Sequence, residues 1–397
     1  MNVLFLMLSY SPESSNMYSD LAEEFKNHGH KVTIMAPIIK SYREGIYHEN
    51  GYDMVRVKTP PTQGVPNLIK KGVALALMPY NYKRVYKKYL VKNKFDLILM
   101  PTPPITLVDF ASYVKRKTNA TFYLILRDIH PQSVTSIGLI KYKFMYNYLE
   151  RRAKKGYQMA DLIGCMSQGN INYIAKTYPS LNKDKLVLLM NWQKDVGYSK
   201  PKTNIREKFN FQGKLLVLFG GNIGLGQKIE NIIDLAEHYS DNDNIIFLVI
   251  GKGIKKDTMK QMAEEKNLKN IKFIDFMPRD EYLDFIKSVD IGLISINEEY
   301  KVPTCPSKAV SYMSLKIPIF AMINPNNDYG EIIEKAGAGY WAIGNDKNRV
   351  YTLFDKMCND ETLRKKMGEN GYNFYLANLT SEMAYKTIIN QINEAKS

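Results

Sequence analysis

The sequence predicts an α/β protein built from two Rossmann-like, doubly wound domains in tandem, and three observations carry that prediction. Short, wholly apolar runs recur along the chain, amphipathic stretches separate them, and the rhythm restarts once, after residue 195. Runs without polar alternation indicate strands buried on both faces, as in a parallel sheet covered by helices. A length of 397 residues suits two domains of ordinary size.

Residues 3–8 form the first such run. A loop (9–16) and a helical stretch (18–27) follow; His28-Gly29-His30 ends the helix and 31–36 begins the next strand. The pattern repeats at 97–100, 121–125, 162–166 and 186–190. The polar segment 193–203, which carries Pro201, reads as a linker. Beyond it, strands are predicted at 215–219, 245–250, 271–274, 291–294 and 317–321, and helices at 229–238, 255–266, 279–288 and 308–314. The expected domains are 1–195 and 196–378, with 379–397 an amphipathic helix packing back on the first. No repeat of 20–50 residues is visible.

A chain that is 45% hydrophobic and 24% charged has ample material for two cores, which excludes a disordered class. The net charge of +15, from 55 basic and 40 acidic residues, favours anionic partners: phosphorylated small molecules, an anionic membrane face or nucleic acid. Lysine-rich codon usage would give the same sum with no partner. No nucleic-acid recognition module accompanies the charge, so nucleic acid is not expected. Cys165, Cys305 and Cys358 are far apart in sequence, which points to a reducing compartment and against a disulfide framework. The first apolar run lacks a preceding basic region and reads as a strand rather than a signal peptide. No apolar run reaches 18 residues, so no membrane-spanning helix is expected.

In an open α/β sheet, ligands meet the loops beyond the carboxyl ends of strands. Three such loops stand out. In the first, Gly220, Gly221, Gly224 and Gly226 lie between a strand and a helix, with Asn222, Gln227 and Lys228 among them. Such a loop lets backbone amides approach an anion at a helix N-terminus, or serves a tight turn and nothing more. It does not meet the strict GxGxxG pattern, so a nicotinamide cofactor is not expected. In the second, Pro306-Ser307-Lys308 opens a helix; hydroxyl, ammonium and helix dipole suit a diphosphate, and a proline-started helix with an exposed lysine is the plainer alternative. In the third, Arg127-Asp128-Ile129-His130-Pro131 clusters groups that orient a sugar or handle a proton, or form an ion pair and a cap. GxSxG, HExxH and P-loop motifs are absent. Asp241-Asn242-Asp243 matches a DxD metal motif in form but sits between a helix and a strand, where a polar turn is expected; the proposed site needs no metal.

A basic stretch completes the reading. No acidic residue occurs between Asp53 and Asp96, while Lys83, Arg84, Lys87 and Lys88 fall opposite an apolar stripe of Tyr82, Val85, Tyr86, Tyr89 and Leu90. The basic face either meets water or rests on anionic lipid at about 1 kcal/mol per residue; membrane contact is the preferred expectation.

Taken together, these segments resemble the family 4 glycosyltransferases of GT-B architecture, and more narrowly bacterial capsule and O-antigen enzymes of the fucosamine-transferase type. The marks are Leu126-Arg127-Asp128-Ile129-His130-Pro131-Gln132-Ser133, Met166-Ser167-Gln168-Gly169, Met190-Asn191-Trp192, Gly221-Asn222-Ile223-Gly224, Met277-Pro278-Arg279-Asp280-Glu281, and Pro306-Ser307-Lys308 before Tyr312-Met313. The resemblance spans nearly the whole chain. It implies two Rossmann-like domains with a donor cleft between them and metal-independent, retaining transfer of an N-acetylated or deoxy amino sugar. The donor would be a nucleotide sugar, UDP-linked; the acceptor would be a lipid-linked saccharide at the cytoplasmic face of the cell membrane.

By the same resemblance Gly221, Asn222, Gly224, Gln227, Lys228, Ser307, Lys308 and Ser311 serve the donor, and Met277 lies by the base. Glu13, Ser14, Ser15 and Asn16 serve the acceptor, and Asp128 stands near the reacting carbon, with Arg127 and His130 of the same loop as the other catalytic candidates. The sequence departs from the family where two glutamates usually stand eight residues apart: it has Pro303 and Ser311. Asn222 and Gln227 replace the Arg and Lys of many relatives. Two other functions stay open at this point: a non-catalytic partner of GT-B shape, and a nucleotide-sugar epimerase.

Overall fold

The structure, a computed structural model, describes residues 1–11, 15–39, 42–62, 68–140, 142–203 and 205–396. It divides into two compact units, Met1–Met190 with Ser381–Ser397, and Asn191–Thr380.

The first unit holds an eight-stranded sheet: β1 (Asn2–Leu6), β2 (Lys31–Pro37), β3 (Gly45–Glu49), β4 (Tyr52–Val57), β5 (Leu97–Thr102), β6 (Thr121–Leu126), β7 (Leu162–Cys165) and β8 (Leu186–Leu188). Their order is β3-β4-β2-β1-β5-β6-β7-β8. Every pairing is parallel except β3 with β4. The fully apolar runs take the centre: β5 is buried at all six positions. The chain runs outward from β1 in one direction and returns to β5 on its other side, so the loops after β1 and β5 diverge and leave a crevice.

The sequence reading passed over β3 and β4. They form a hairpin closed by Asn50 (φ 52) and Gly51 (φ 80), a two-residue turn with both central residues left-handed. That turn matches the twist of the flanking strands. The final helix, Ser381–Glu394, lies against the helix Met17–Asn27: Ser381 Oγ donates to Glu24 at 2.7 Å and the Tyr385 ring stacks on His28 at 4.1 Å.

The second unit holds six parallel strands: β9 (Leu215–Asn222), β10 (Ile245–Lys252), β11 (Ile271–Ile274), β12 (Ile291–Ser295), β13 (Ile319–Ile323) and β14 (Gly339–Ile343). Their order, β11-β10-β9-β12-β13-β14, reverses between β9 and β12. Val217, Phe219, Phe247, Val249, Leu293 and Phe320 pack the core with Phe354, whose ring meets Phe320 edge-on at 5.1 Å. The carboxyl ends of β9 and β10 touch backbone to backbone. Gly251 sits at φ +147, and a Cβ there would fall 1.8 Å from the Gly221 carbonyl oxygen. Only glycine fits that approach.

Segment 193–203, polar enough to read as a linker, begins inside this unit. Gln193 is buried, its backbone carbonyl accepts from Tyr375 Oη at 3.2 Å, and its side-chain Nε2 donates to Ser314 Oγ at 3.1 Å. Residues 241–244 form a turn in which Asn242 Oδ1 accepts from the Asn244 amide, a structural use of the DxD-like triplet.

Candidate functional site

At the β9–β12 reversal, the glycine-rich loop leaves β9 with Gly221 and Asn222 exposed. The chain after β12 holds this loop from the side. Ser295 Oγ donates to the Lys228 carbonyl at 2.6 Å, Asn297 Nδ2 to the Leu225 carbonyl at 3.0 Å, and the Asn297 amide to the Gly226 carbonyl at 3.2 Å. Asn324 and Asn327, both buried, fix the next stretch through the carbonyls of Tyr300 (3.2 Å) and Thr304 (2.9 Å). That stretch leads into the helix Lys308–Ser314. None of these asparagines was legible as a functional position, because each reads as an ordinary turn residue.

Lys308 is the central charge of this unit. Its ammonium lies 3.5 Å from the Phe219 ring centroid and donates to Gln227 Oε1 at 3.0 Å. A Cβ on Gly221 would stand 3.8 Å from it. Among the described residues no carboxylate meets it, and burial holds its pKa well below the ordinary lysine value. A desolvated cation without a counter-ion, beside an exposed glycine turn, is arranged to receive an anion. Ser307, exposed, stands at the N-cap of the same helix and makes no side-chain cap bond there. Gly224 is buried under the Asn222 side chain. Lys228 is half-buried, with Glu230 within range of its charge.

The Ser311 hydroxyl donates to Gln193 Oε1 at 2.8 Å, which ties the helix to the buried start of the 193–203 segment. Met277 is half-buried and, with Gln193, Phe285 and Ser314, lines a cleft of about 580 Å³. Its neighbour Phe276 is exposed, with the Lys252 ammonium 4.4 Å from its ring centroid. Lys252 ends β10, and the sequence reading did not single it out.

In the first unit, the loop after β6 gathers Arg127, Asp128 and His130. Arg127 hydrogen-bonds the Tyr18 phenol. Burial opposes its charge, but Tyr18 and Asp128 outweigh that and hold the guanidinium above its ordinary pKa. Asp128 is exposed; its carbonyl accepts from Thr102 Oγ1 at 3.3 Å, which anchors the loop to the end of β5. His130 Nδ1 meets Ser133 Oγ at 3.3 Å. Burial pushes the imidazole pKa down, the Asp128 carboxylate pulls it up, and Lys71 pushes it down further. The arrangement places a neutral imidazole, an exposed carboxylate and a fixed guanidinium beyond two adjacent strands, a set able to orient a polyol and hold a proton. Tyr18, Lys71 and Thr102 belong to it and were missed; Tyr18 carries no signal beyond a helical position.

Glu13 and Ser14 lie outside the described residues. Ser15 is exposed. Asn16 caps the helix Met17–Asn27, its Oδ1 accepting from the Tyr18 and Ser19 amides at 2.9 and 3.2 Å. Lys83, Arg84, Lys87 and Lys88 are exposed on the helix Leu68–Tyr89, while Tyr82, Val85 and Tyr86 are buried. Arg84 pairs with Glu44, and the Lys83 ammonium lies 4.5 Å from the Tyr113 ring centroid. Among the described residues no helix is long and apolar enough to cross a membrane, and no three His, Cys, Asp or Glu side chains gather in a metal-binding group.

Residues 201–374 match the family described as Glycosyl transferases group 1. The chain is 26% identical over 311 residues to the probable glycosyltransferase WbjE of Pseudomonas aeruginosa, covering 75% of this chain and 74% of that protein. It is 20% identical over 343 residues to the putative colanic acid biosynthesis glycosyl transferase WcaI of Escherichia coli, covering 79% and 81%. Among solved structures it resembles HepE of Anabaena in complex with UDP, with a TM-score of 0.71 and 13% identity over 99% of this chain and 100% of that one. The fold is GT-B, and the chain is a glycosyltransferase.

Proposed function

We propose that this glycosyltransferase moves an N-acetylated or deoxy amino sugar from a UDP-linked donor to a lipid-linked saccharide in bacterial surface-polysaccharide synthesis. The reading places transfer at the cytoplasmic face of the membrane, with retention of anomeric configuration and without metal. The observation that carries the donor assignment is Lys308, a half-buried ammonium that meets no carboxylate among the described residues, set beside Gly221. A diphosphate supplies the missing counter-charge. The Asn222–Gln227 turn and Ser307 add donors, and Met277 and its neighbours offer an apolar face to a base.

The acceptor is assigned to the other unit. There Arg127 and Asp128 orient its hydroxyls, and His130, kept neutral by burial, accepts or relays a proton. The solved relative with UDP bound and the relative named for colanic acid biosynthesis support the donor class and the pathway class. The fucosamine-type resemblance supports the amino sugar.

The test is turnover. The purified chain, with EDTA present, is offered UDP-linked N-acetylhexosamines and their deoxy forms together with a polyprenyl-diphosphate saccharide. The product anomer is then read by NMR. Transfer with retention supports the assignment. Absence of any UDP-induced thermal shift, with every acceptor untouched, overturns it.

A further inference from the structure

The carboxyl edge of the second sheet presents its side chains in a fixed order. Phe276, exposed, stands two residues beyond β11; Lys252 is the last residue of β10, and Asn222 the last of β9. These three strands are consecutive neighbours. Lys308 belongs to the helix that follows β12, the strand on the other side of β9, and its ammonium lies over the Phe219 ring beside Gly221. At a strand spacing of about 4.8 Å, the edge from β11 to β9 spans about 10 Å. Lys252 and Asn222 are register partners, so they leave the sheet side by side. Three close contacts lock β9 to β10 at this point. The Ile223 amide donates to the Lys252 carbonyl at 2.9 Å, the Lys255 amide donates to the Ile223 carbonyl at 3.1 Å, and a Cβ on Gly253 would fall 2.1 Å from the Ile223 carbonyl oxygen.

The three lysines at the end of β10 are used differently. Lys255 pairs with Glu230 at 2.6 Å. Lys256 pairs with Asp275 at 2.5 Å and donates to the Gly251 and Ile274 carbonyls, each at 3.2 Å, which fastens β10 to β11. Both serve the fold. Lys252 is exposed and meets no carboxylate among the described residues; its ammonium rests 4.4 Å from the Phe276 ring centroid. An exposed cation–π contact is weak, and a phosphate, which bonds an ammonium ion to ion, displaces it.

We propose that Lys252 holds the donor phosphate nearer the base, while Lys308 holds the one farther from it. The inference rests on the donor site proposed above and gives it a direction. Met277 lies on the β11 side and Lys308 on the β12 side, so a nucleotide laid with its base on Met277 passes Lys252 before it reaches Lys308. The first phosphate sits between Lys252 and the Asn222 turn, and the second beside Gly221. On binding, the Lys252 ammonium leaves the Phe276 ring, which frees that face for the base.

Isothermal titration of the full chain with uridine, UMP and UDP tests the order. Lys252→Met should weaken UMP and UDP by the same factor, roughly ten-fold, and leave uridine unchanged. The melting temperature should hold, because the side chain is exposed, and Lys252→Arg should restore UMP binding. Lys308→Met should weaken UDP and spare UMP. Wild-type UMP affinity in Lys252→Met overturns the proposal, as does a loss that extends equally to uridine, which would make Lys252 a base contact. Loss of UMP binding in Lys308→Met reverses the order and overturns it too. The donor reading is judged separately: if Lys308→Met loses UDP while Lys252→Met keeps it, the donor site stands and Lys252 has no part in it. If the wild type binds no uridine nucleotide, both fall.

Discussion

Replacing Lys308 by Met removes the charge and keeps the stem. A hydrogen bond to a charged group contributes about 1.5–3 kcal/mol, so at about 1.4 kcal/mol per decade UDP should bind roughly 10- to 150-fold more weakly. The unliganded protein should hold or raise its melting temperature, because the ammonium is desolvated with no carboxylate beside it among the described residues. The pH dependence follows from the lowered pKa. Between that depressed value and the ordinary 10.5, the unfolded lysine binds more protons than the folded one. Stability contributed by this site therefore rises with pH across that window and is lowest below the folded-state pKa. A diphosphate needs the charged form, so above the depressed pKa UDP binding must take up a proton, and affinity falls as pH rises. Calorimetry in two buffers of different ionisation enthalpy measures that proton directly. The wild type should show uptake at pH values between the depressed pKa and 10.5, and Lys308→Met none. Wild-type UDP affinity in the variant, or binding without proton uptake in both, refutes the donor assignment. A melting temperature that falls by several degrees with the UDP shift intact would mark Lys308 as structural.

Three further outcomes follow from other contacts. Arg56 is fully buried and pairs with Glu49 at 2.9 Å while donating to the Tyr10 carbonyl at 2.8 Å; Arg56→Met should cost about 3–5 kcal/mol in thermal or urea unfolding, and Glu49→Leu added to it should recover part of the loss. Ser311→Ala should cost about 1 kcal/mol of stability and change UDP affinity less than about three-fold, because the hydroxyl serves Gln193. His130, lowered by burial, takes up its proton in the unfolded chain first, so stability should fall as pH drops through the ordinary histidine value of 6.5; in His130→Gln, melting curves taken across that range should lose this component.

The parts legible in the sequence were those that local pattern decides. Apolar runs marked the central strands because both their faces are covered, and the helix Lys308–Ser314 was read at its true bounds. β3 escaped because its burial alternates and no run stands out, although Asn50-Gly51 is a strong hairpin signal that should have been weighed. Other features depend on what the fold brings near. Ser307-Lys308 was recognisable as a phosphate-type opening, but the Phe219 ring and the loss of solvent around Lys308 arise only from the β9–β12 neighbourhood. The helix Leu68–Tyr89 shows the same limit. Its inner stripe from Tyr82 to Leu90 was read correctly, whereas the exposure of Val73, Leu77 and Tyr80 has no local signature, because an apolar residue on either side of the helix suits a core. Which stripe the sheet takes is a tertiary choice.

The departure at residue 311 gains a physical account from the second unit's own packing. Ser311 bonds Gln193, Gln193 bonds Ser314, and Tyr375 closes on the Gln193 carbonyl, so the helix that bears Lys308 is clamped by neutral groups. A carboxylate at position 311 would face the Gln193 side-chain oxygen Oε1 and would stand on the same short helix as an ammonium that meets no carboxylate among the described residues. Glu298 accepts from Asn231 at 3.1 Å and packs against Gly344, where a Cβ would come within 2.4 Å of its Oε1, so that carboxylate is already engaged. Glu299 is exposed. Without acidic groups at positions 303 and 311, Lys308 keeps its full attraction for an incoming diphosphate. The binding energy of the donor should then concentrate on its phosphates, with a steep dependence on salt and pH and a shallow one on the ribose hydroxyls.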